Sequence, residues 1–271
     1  MSTLEAETLE LTKGIVEKRR LLGLDASYYW FDTQAYFEDS NLIKFLRSHE
    51  EIPKNRYSIK ITLMAYFVSL TTPMEQVLAG FQPRARQGIK KAEKSGVVVQ
   101  KASTDAEKLK FFDFYEKFAQ APQRQGKMLV MQKEELPNLD IFNAISGEGE
   151  YLGGIGILSS RRAGVSYYKY GATLHRFNEN DLLVWRAIKD AKALGYSLFC
   201  TSTYIPGSAA DSEHAKLLLF KKKFGGEPRP FYTYIRLAFP FSLGAWFVQK
   251  LIDFNFLGKI DRGLKRLGLF R

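Results

Sequence analysis

Apolar and polar positions alternate along Tyr57-Ser58-Ile59-Lys60-Ile61-Thr62-Leu63, the period of a half-buried strand. Thr72-Pro73-Met74-Glu75 reads as a helix start, with proline in the first turn. Residues 83–95 form a dense basic helix carrying Arg84, Arg86, Lys90, Lys91 and Lys94, closed by Gly96. Val97 to Val99 follows as a strand. Thr104 and Glu107 have capping-box spacing, and the helix behind them places Leu109, Phe112, Tyr115, Phe118 and Ala119 on one face. Residues 151–159 and 164–172 are two strands of a hairpin joined through Arg161 to Gly164. Asn180 or Asp181 caps a helix that runs to about Leu194 and closes at Gly195. A strand at 198–201, a helix over 212–224 and a strand at 231–237 complete the series.

The two ends read differently. Residues 1–27 are a polar lead-in with one helical stretch, and 28–79 mix short aromatic runs with strand. After Pro240, Leu243, Trp246, Phe247, Leu251, Phe254, Leu257, Ile260, Leu264 and Leu267 recur at helical spacing among six basic side chains. Such a basic amphipathic tail can lie in a membrane interface, pack on the core or meet a second copy. The chain divides into 1–80, 81–238 and 239–271, and its fold class is α/β (α+β).

Composition narrows the partners. Of 271 residues 45% are hydrophobic and 25% charged, an ordinary globular balance. The net charge of +11 favours an anionic partner: a phosphorylated small molecule, nucleic acid or an acidic membrane surface. One cysteine, Cys200, excludes an internal disulfide and a zinc site of Cys pairs, and reads as buried core. The N-terminus lacks the apolar run of a signal peptide, and no stretch is long enough to span a bilayer. The expected location is cytoplasmic, with contact to the inner face of the cell membrane through the tail. His49, His175 and His214 lack metal-ligand spacing, no metal is expected, and His175 is the one placed to act as a base.

Three segments carry a family resemblance. The first is Arg84 to Val97, a basic helix ending Ala92-Glu93-Lys94-Ser95-Gly96-Val97. The second joins Tyr168-Lys169-Tyr170-Gly171-Ala172 to Leu182-Leu183-Val184-Trp185 and Ala191-Lys192-Ala193-Leu194-Gly195-Tyr196. The third is Phe220-Lys221-Lys222-Lys223-Phe224-Gly225-Gly226. In this order they resemble the Fem-type branch of the GNAT acyltransferase superfamily. The resemblance implies a GNAT-like domain at 81–238: a mixed, mostly antiparallel sheet flanked by helices, preceded by a partial unit. Residues 28–80 are too few for the complete first unit such proteins carry. The resemblance also implies transfer of an acyl group from acyl-CoA, or an aminoacyl group from aminoacyl-tRNA, to an amine in cell-envelope or surface-glycan biosynthesis. Neither donor is a permanently bound cofactor. The acetyl-CoA loop pattern R/Q-x-x-G-x-G/A is replaced by His175-Arg176-Phe177-Asn178-Glu179-Asn180-Asp181. The short first unit favours a small acceptor such as an amino sugar or amino acid, and an acyl-CoA donor.

Transfer to an amine needs a neutral nitrogen held against the acyl carbon and donors for the developing oxyanion. No G-x-S-x-G elbow or triad is present, so no covalent intermediate is implied. Tyr168 and Tyr170 alternate with Tyr167 and Lys169, so each pair faces one side of the sheet; at a cleft, a tyrosine of the first pair donates to the oxyanion or passes a proton. The resemblance puts Lys221 at the active site, Phe220 and Trp185 against substrate, and Arg124 on a substrate phosphate. Arg176, Asn178 and Asn180 face an anionic donor at a helix start, or belong to an ordinary capped helix. The basic helix 84–94 contacts tRNA or is a solvated face. The rival reading is a non-catalytic GNAT-like module docking on an anionic membrane or RNA.

Overall fold

In the computed structural model the described residues are 15–21, 24–31, 36, 43–122, 124, 131–204, 213–237, 242, 245 and 249. The amphipathic tail expected after Pro240 lies almost wholly outside them, as do residues 1–14. The described residues form ten strands and five helices (Met74–Ala79, α1; Pro83–Lys94, α2; Asp105–Gln120, α3; Glu179–Ala193, α4; Glu213–Lys222, α5).

The chain falls into two compact units. The first takes Met1–Met64, Ser160–Ala163 and Arg229–Arg271. It holds β1 (Ile15–Leu21), β2 (Leu24–Trp30), β3 (Ile43–Ser48), the start of β4 (Ile59–Ser69) and most of β10 (Glu227–Leu237). β1 pairs antiparallel with β2, β2 parallel with β3, and β3 antiparallel with β10. Strand therefore occupies 15–21 and 24–30, where the sequence read as a polar lead-in. The alternation of β1 is hidden by its charged centre, Glu17 to Arg20. Tyr29, Tyr36, Leu46, Ile52 and Tyr234 form this unit's aromatic core.

The second unit takes Ala65–Ser159 and Gly164–Pro228. Its strands lie in the order β4, β9 (Leu198–Tyr204), β8 (Val165–Thr173), β7 (Tyr151–Ser160), β6 (Leu139–Ile145), β5 (Val98–Lys101). The β5–β6 and β6–β7 pairs are antiparallel, and β8–β9 is parallel. The sheet is thus mixed and mostly antiparallel. β6 was not legible as a strand, since its Asn143 and Asp140 interrupt the apolar run.

Local chemistry sets the helix ends. Thr104 Oγ1 accepts from Glu107 N–H at 3.3 Å, and the Glu107 carboxylate accepts from Thr104 N–H at 3.1 Å, the reciprocal cap the spacing predicted. The face buried by α3 is Phe111 and Tyr115, one position off the expected stripe at Phe112. α2 buries Ala85, Gly88, Ile89 and Ala92, a strict i, i+3, i+4, i+7 stripe, and packs on α4. α4 is buried on nearly every side, from Leu182 to Ala191, and with α2 and β7 forms the large core of the unit. Cys200 is fully buried in β9, as read from sequence. Gly225 and Gly226 both take positive φ (73° and 84°). A Cβ on Gly226 would stand 2.6 Å from Phe67 O and one on Gly225 2.6 Å from Gly80 O, so the paired glycines let the end of α5 pass close to two backbones.

Candidate active site

β8 and β9 run side by side only briefly. Their pairing extends from Val165 opposite Leu198 to Tyr167 opposite Cys200, yet β8 continues to Thr173 and β9 to Tyr204. Beyond the paired segment the strands carry Tyr168 and Thr203, and the site residues collect there.

Tyr168 packs its ring 6.1 Å from Phe220, in the last turns of α5. The Asn180 side chain, in the first turn of α4, hydrogen-bonds its hydroxyl, and burial pushes that hydroxyl well above the usual phenol range. Among the described residues no acceptor takes the Tyr168 proton. Lys221, 8% exposed, donates to the Thr203 carbonyl. Burial lowers it from the ordinary lysine value to about 8, and among the described residues no carboxylate pairs with it. Lys169 shows the contrast: equally buried, it sits 3.0 Å from the Glu135 carboxylate. A buried ammonium lacking an acid is costly, which makes Lys221 a functional candidate on physical grounds.

A second contact ties the same segments. Asp181, buried in the first turn of α4, forms an ion pair with Lys223, and Lys223 lies over the Phe220 and Phe224 rings at 4.7 and 5.1 Å. Burial raises the Asp181 carboxyl, opposed by Lys223 and Arg84. Gly88 of α2 fits against this carboxylate so closely that a Cβ there would fall 2.2 Å from Asp181 Oδ2. Gln82 N–H, at the start of α2, donates to Lys223 O at 2.9 Å. Strand 168, turn 175–181 and the lysines of 221–223 therefore converge, as the sequence required.

Several expected roles change. Tyr170 does not join Tyr168: its hydroxyl donates at 2.5 Å to Glu135 Oε2, the carboxylate that also meets Lys169. Adjacent residues 169 and 170 thus reach the same acid, and a Cβ on Gly171 would strike the Tyr168 hydroxyl at 1.8 Å, so strict alternation breaks between 168 and 171. Trp185 is 7% exposed and packs edge-on against Phe81 at 5.5 Å, in the core rather than toward substrate. The Arg176 side chain is half exposed, with Nη1 2.8 Å from both Glu150 oxygens, so its charge is met. Asn178, not Asn180 or Asp181, is the N-cap of α4. It has a left-handed backbone (φ 58°) and no side-chain cap, and Glu179 Oε2 accepts from Phe177 N–H at 2.9 Å instead. The Arg124 guanidinium lies 3.6 Å from the Phe118 ring centroid and lowers the His175 pKa together with Lys223, burial being the larger cause. Phe220 alone among the aromatic substrate candidates touches the Tyr168 ring. Sequence reasoning missed Glu179, Lys223 and Gly88; the acid pair Glu179 and Asp181 in the replaced acetyl-CoA loop was the signal.

No family model matches the sequence, and no curated protein matches it either. Solved structures do. FemX superposes with a TM-score of 0.60 at 14% identity, over 86% of this chain and 91% of its own. The fold is Fem-type. L-PGS from Bacillus licheniformis shares this fold with a TM-score of 0.55 at 15% identity, covering 88% of this chain and 85% of its own. So does the C-terminal domain of an Agrobacterium fabrum protein provisionally assigned as a lysylphosphatidylglycerol synthetase, with a TM-score of 0.54, 10% identity and 93% coverage of both chains. Within this Fem-type fold, Tyr168 of the second motif segment meets Phe220 of the third. Among the described residues no helix is long and apolar enough to cross a membrane.

Proposed function

We propose that the chain is an acyl- or aminoacyltransferase that acts on an amine, with the reaction centred between Tyr168 and Lys221. The observation that carries this reading is a pair of donors: a tyrosine hydroxyl whose proton meets no acceptor, and a buried lysine that meets a carbonyl but no acid, among the described residues. Both are suited to a carbonyl oxygen that gains negative charge as nitrogen attacks. Such donors cost nothing to reorganise during the reaction, because Asn180 and Thr203 already fix them. Held near 8, Lys221 also exchanges a proton readily close to neutral pH. Phe220 covers the Tyr168 ring and limits water.

The donor reading turns on the first turn of α4. A pyrophosphate there would meet Glu179 and Asp181, both buried acids, of which Lys223 and Arg84 offset Asp181. The exposed face of α2 instead presents Arg84, Lys90, Lys91 and Lys94. That combination supports aminoacyl-tRNA over acyl-CoA, reversing the preference drawn from the short first unit. The lysylphosphatidylglycerol synthetase assignment of one structural neighbour supports an envelope setting for the product, and a location at the inner membrane face. An amino sugar or amino acid remains the proposed acceptor class.

The test is a transfer assay with radiolabelled aminoacyl-tRNA, acetyl-CoA and longer acyl-CoAs, each offered amino-sugar and amino-acid acceptors. Label moving to an amine from aminoacyl-tRNA, and lost in Lys221→Met, supports the reading. Retention of full turnover in Lys221→Met removes Lys221 from the mechanism. Failure of every donor, alongside salt-sensitive binding of RNA or anionic vesicles, favours the docking module.

A further inference from the structure

Two buried acceptor atoms in the first turn of α4 have nothing to accept from. Glu179 is fully buried; its Oε2 holds Phe177 N–H at 2.9 Å, while Oε1 has no donor. The next residue, Asn180, engages the Tyr168 hydroxyl, yet its buried Oδ1 is likewise unmet. Buried carboxylate and amide oxygens are rarely left this way. The nearby cations are committed elsewhere: Lys223 to Asp181, Arg176 to Glu150, and Arg124 over the Phe118 ring. The His175 Nδ1 lies 3.3 Å from Thr173 Oγ1. A helix start would by itself suit an anion, but with two buried acids in its first turn this one calls for N–H donors.

We infer that Glu179 Oε1 and Asn180 Oδ1 form the seat for the primary amine of the acceptor, which makes Glu179 a specificity-determining residue for nitrogen over oxygen nucleophiles. That the amine is the acceptor's rests on the transfer reading above. A primary amine brings two or three N–H groups and satisfies both oxygens; a hydroxyl brings one and leaves an acid unmet. In the 175–178 turn that leads into Glu179, His175 and Asn178 both hold φ near 58°, strain of the kind kept at ligand-binding segments.

Calorimetric titration decides this with D-glucosamine against D-glucose, and L-alaninamide against N-acetyl-L-alaninamide. At least one amine should bind the wild-type protein about tenfold or more tightly than its twin. Glu179→Gln keeps an oxygen for Phe177 N–H but turns the unmet acceptor into a donor, so the amine preference should fall to near unity. Asn180→Asp adds charge beside the amine and should tighten it, which keeps the inference testable if Glu179→Gln fails to fold by circular dichroism. Equal binding of amine and twin, no binding of either amine, or an amine preference unchanged in both variants overturns the inference. An amine preference lost in Glu179→Gln, in a protein that transfers no acyl group, leaves the amine seat standing and removes the transfer reading. Transfer that proceeds with unchanged acceptor preference in Glu179→Gln does the reverse.

Discussion

Single side chains carry most of the chemistry. Lys221 titrates near 8 when folded, against 10.5 for an ordinary lysine. Between those values the unfolded chain binds the extra proton, so stability rises with pH across that window, by on the order of 3 kcal/mol in all. Lys221→Met should abolish this rise, seen by urea titration at pH 7 and pH 10. At pH 7 it should leave the protein as stable or more so, since it removes a buried charge, while transfer is lost. Tyr168→Phe keeps the ring against Phe220 and removes the proton aimed at the oxyanion. Turnover should fall about 10²–10³-fold, as for loss of one oxyanion donor, with only the small drop in melting temperature that loss of the Asn180 hydrogen bond brings. Both residues stood out in the sequence, but only by resemblance and position. That the Tyr170 hydroxyl was already taken by Glu135, 35 positions away, was not legible in its strand.

Elements meet at points where side chains are absent or acidic. α2 lies on α4 because Gly88 leaves room for the Asp181 carboxylate. Gly88→Ala should force the helices apart and destabilise the protein by about 1–3 kcal/mol, measured as a lower urea midpoint with unchanged slope. The α3 cap is independent of the site. Thr104→Ala should cost about 1 kcal/mol and leave transfer untouched, which separates stability from catalysis. The α3 capping box and the terminal glycines were readable, since each depends on residues within a few positions. The cap of α4 was misplaced because its turn relies on a left-handed Asn178 and a backward-reaching Glu179, and no short-range spacing encodes that pairing.

Across the whole molecule, the net charge of +11 favours an anionic partner. The exposed basic side chains of α2 begin at Arg84, which acts on Asp181 of the site, and run to Lys94. If they guide a tRNA donor, Lys91→Glu with Lys94→Glu should weaken tRNA binding. The slope of log affinity against log salt should become shallower by about 1 for each phosphate no longer neutralised. Filter binding across a series of salt concentrations measures both. An unchanged slope would confine those lysines to a solvated face.

The sequence by itself determined the helices from 74 onward, the central hairpin and the three motif segments, because short-range periodicity and capping are local properties of the chain. It also determined that Cys200 is core. Tertiary structure alone decided which polar groups are spent and which are left unmet. Glu150 neutralises Arg176, Phe81 packs on Trp185, Glu135 holds Tyr170, Lys221 meets a carbonyl in place of an acid, and Glu179 and Asn180 each keep an oxygen without a donor. Those outcomes follow from the meeting of residues tens of positions apart, where burial and partner choice are fixed only once the β8 and β9 strands have diverged and α4 and α5 have closed on them.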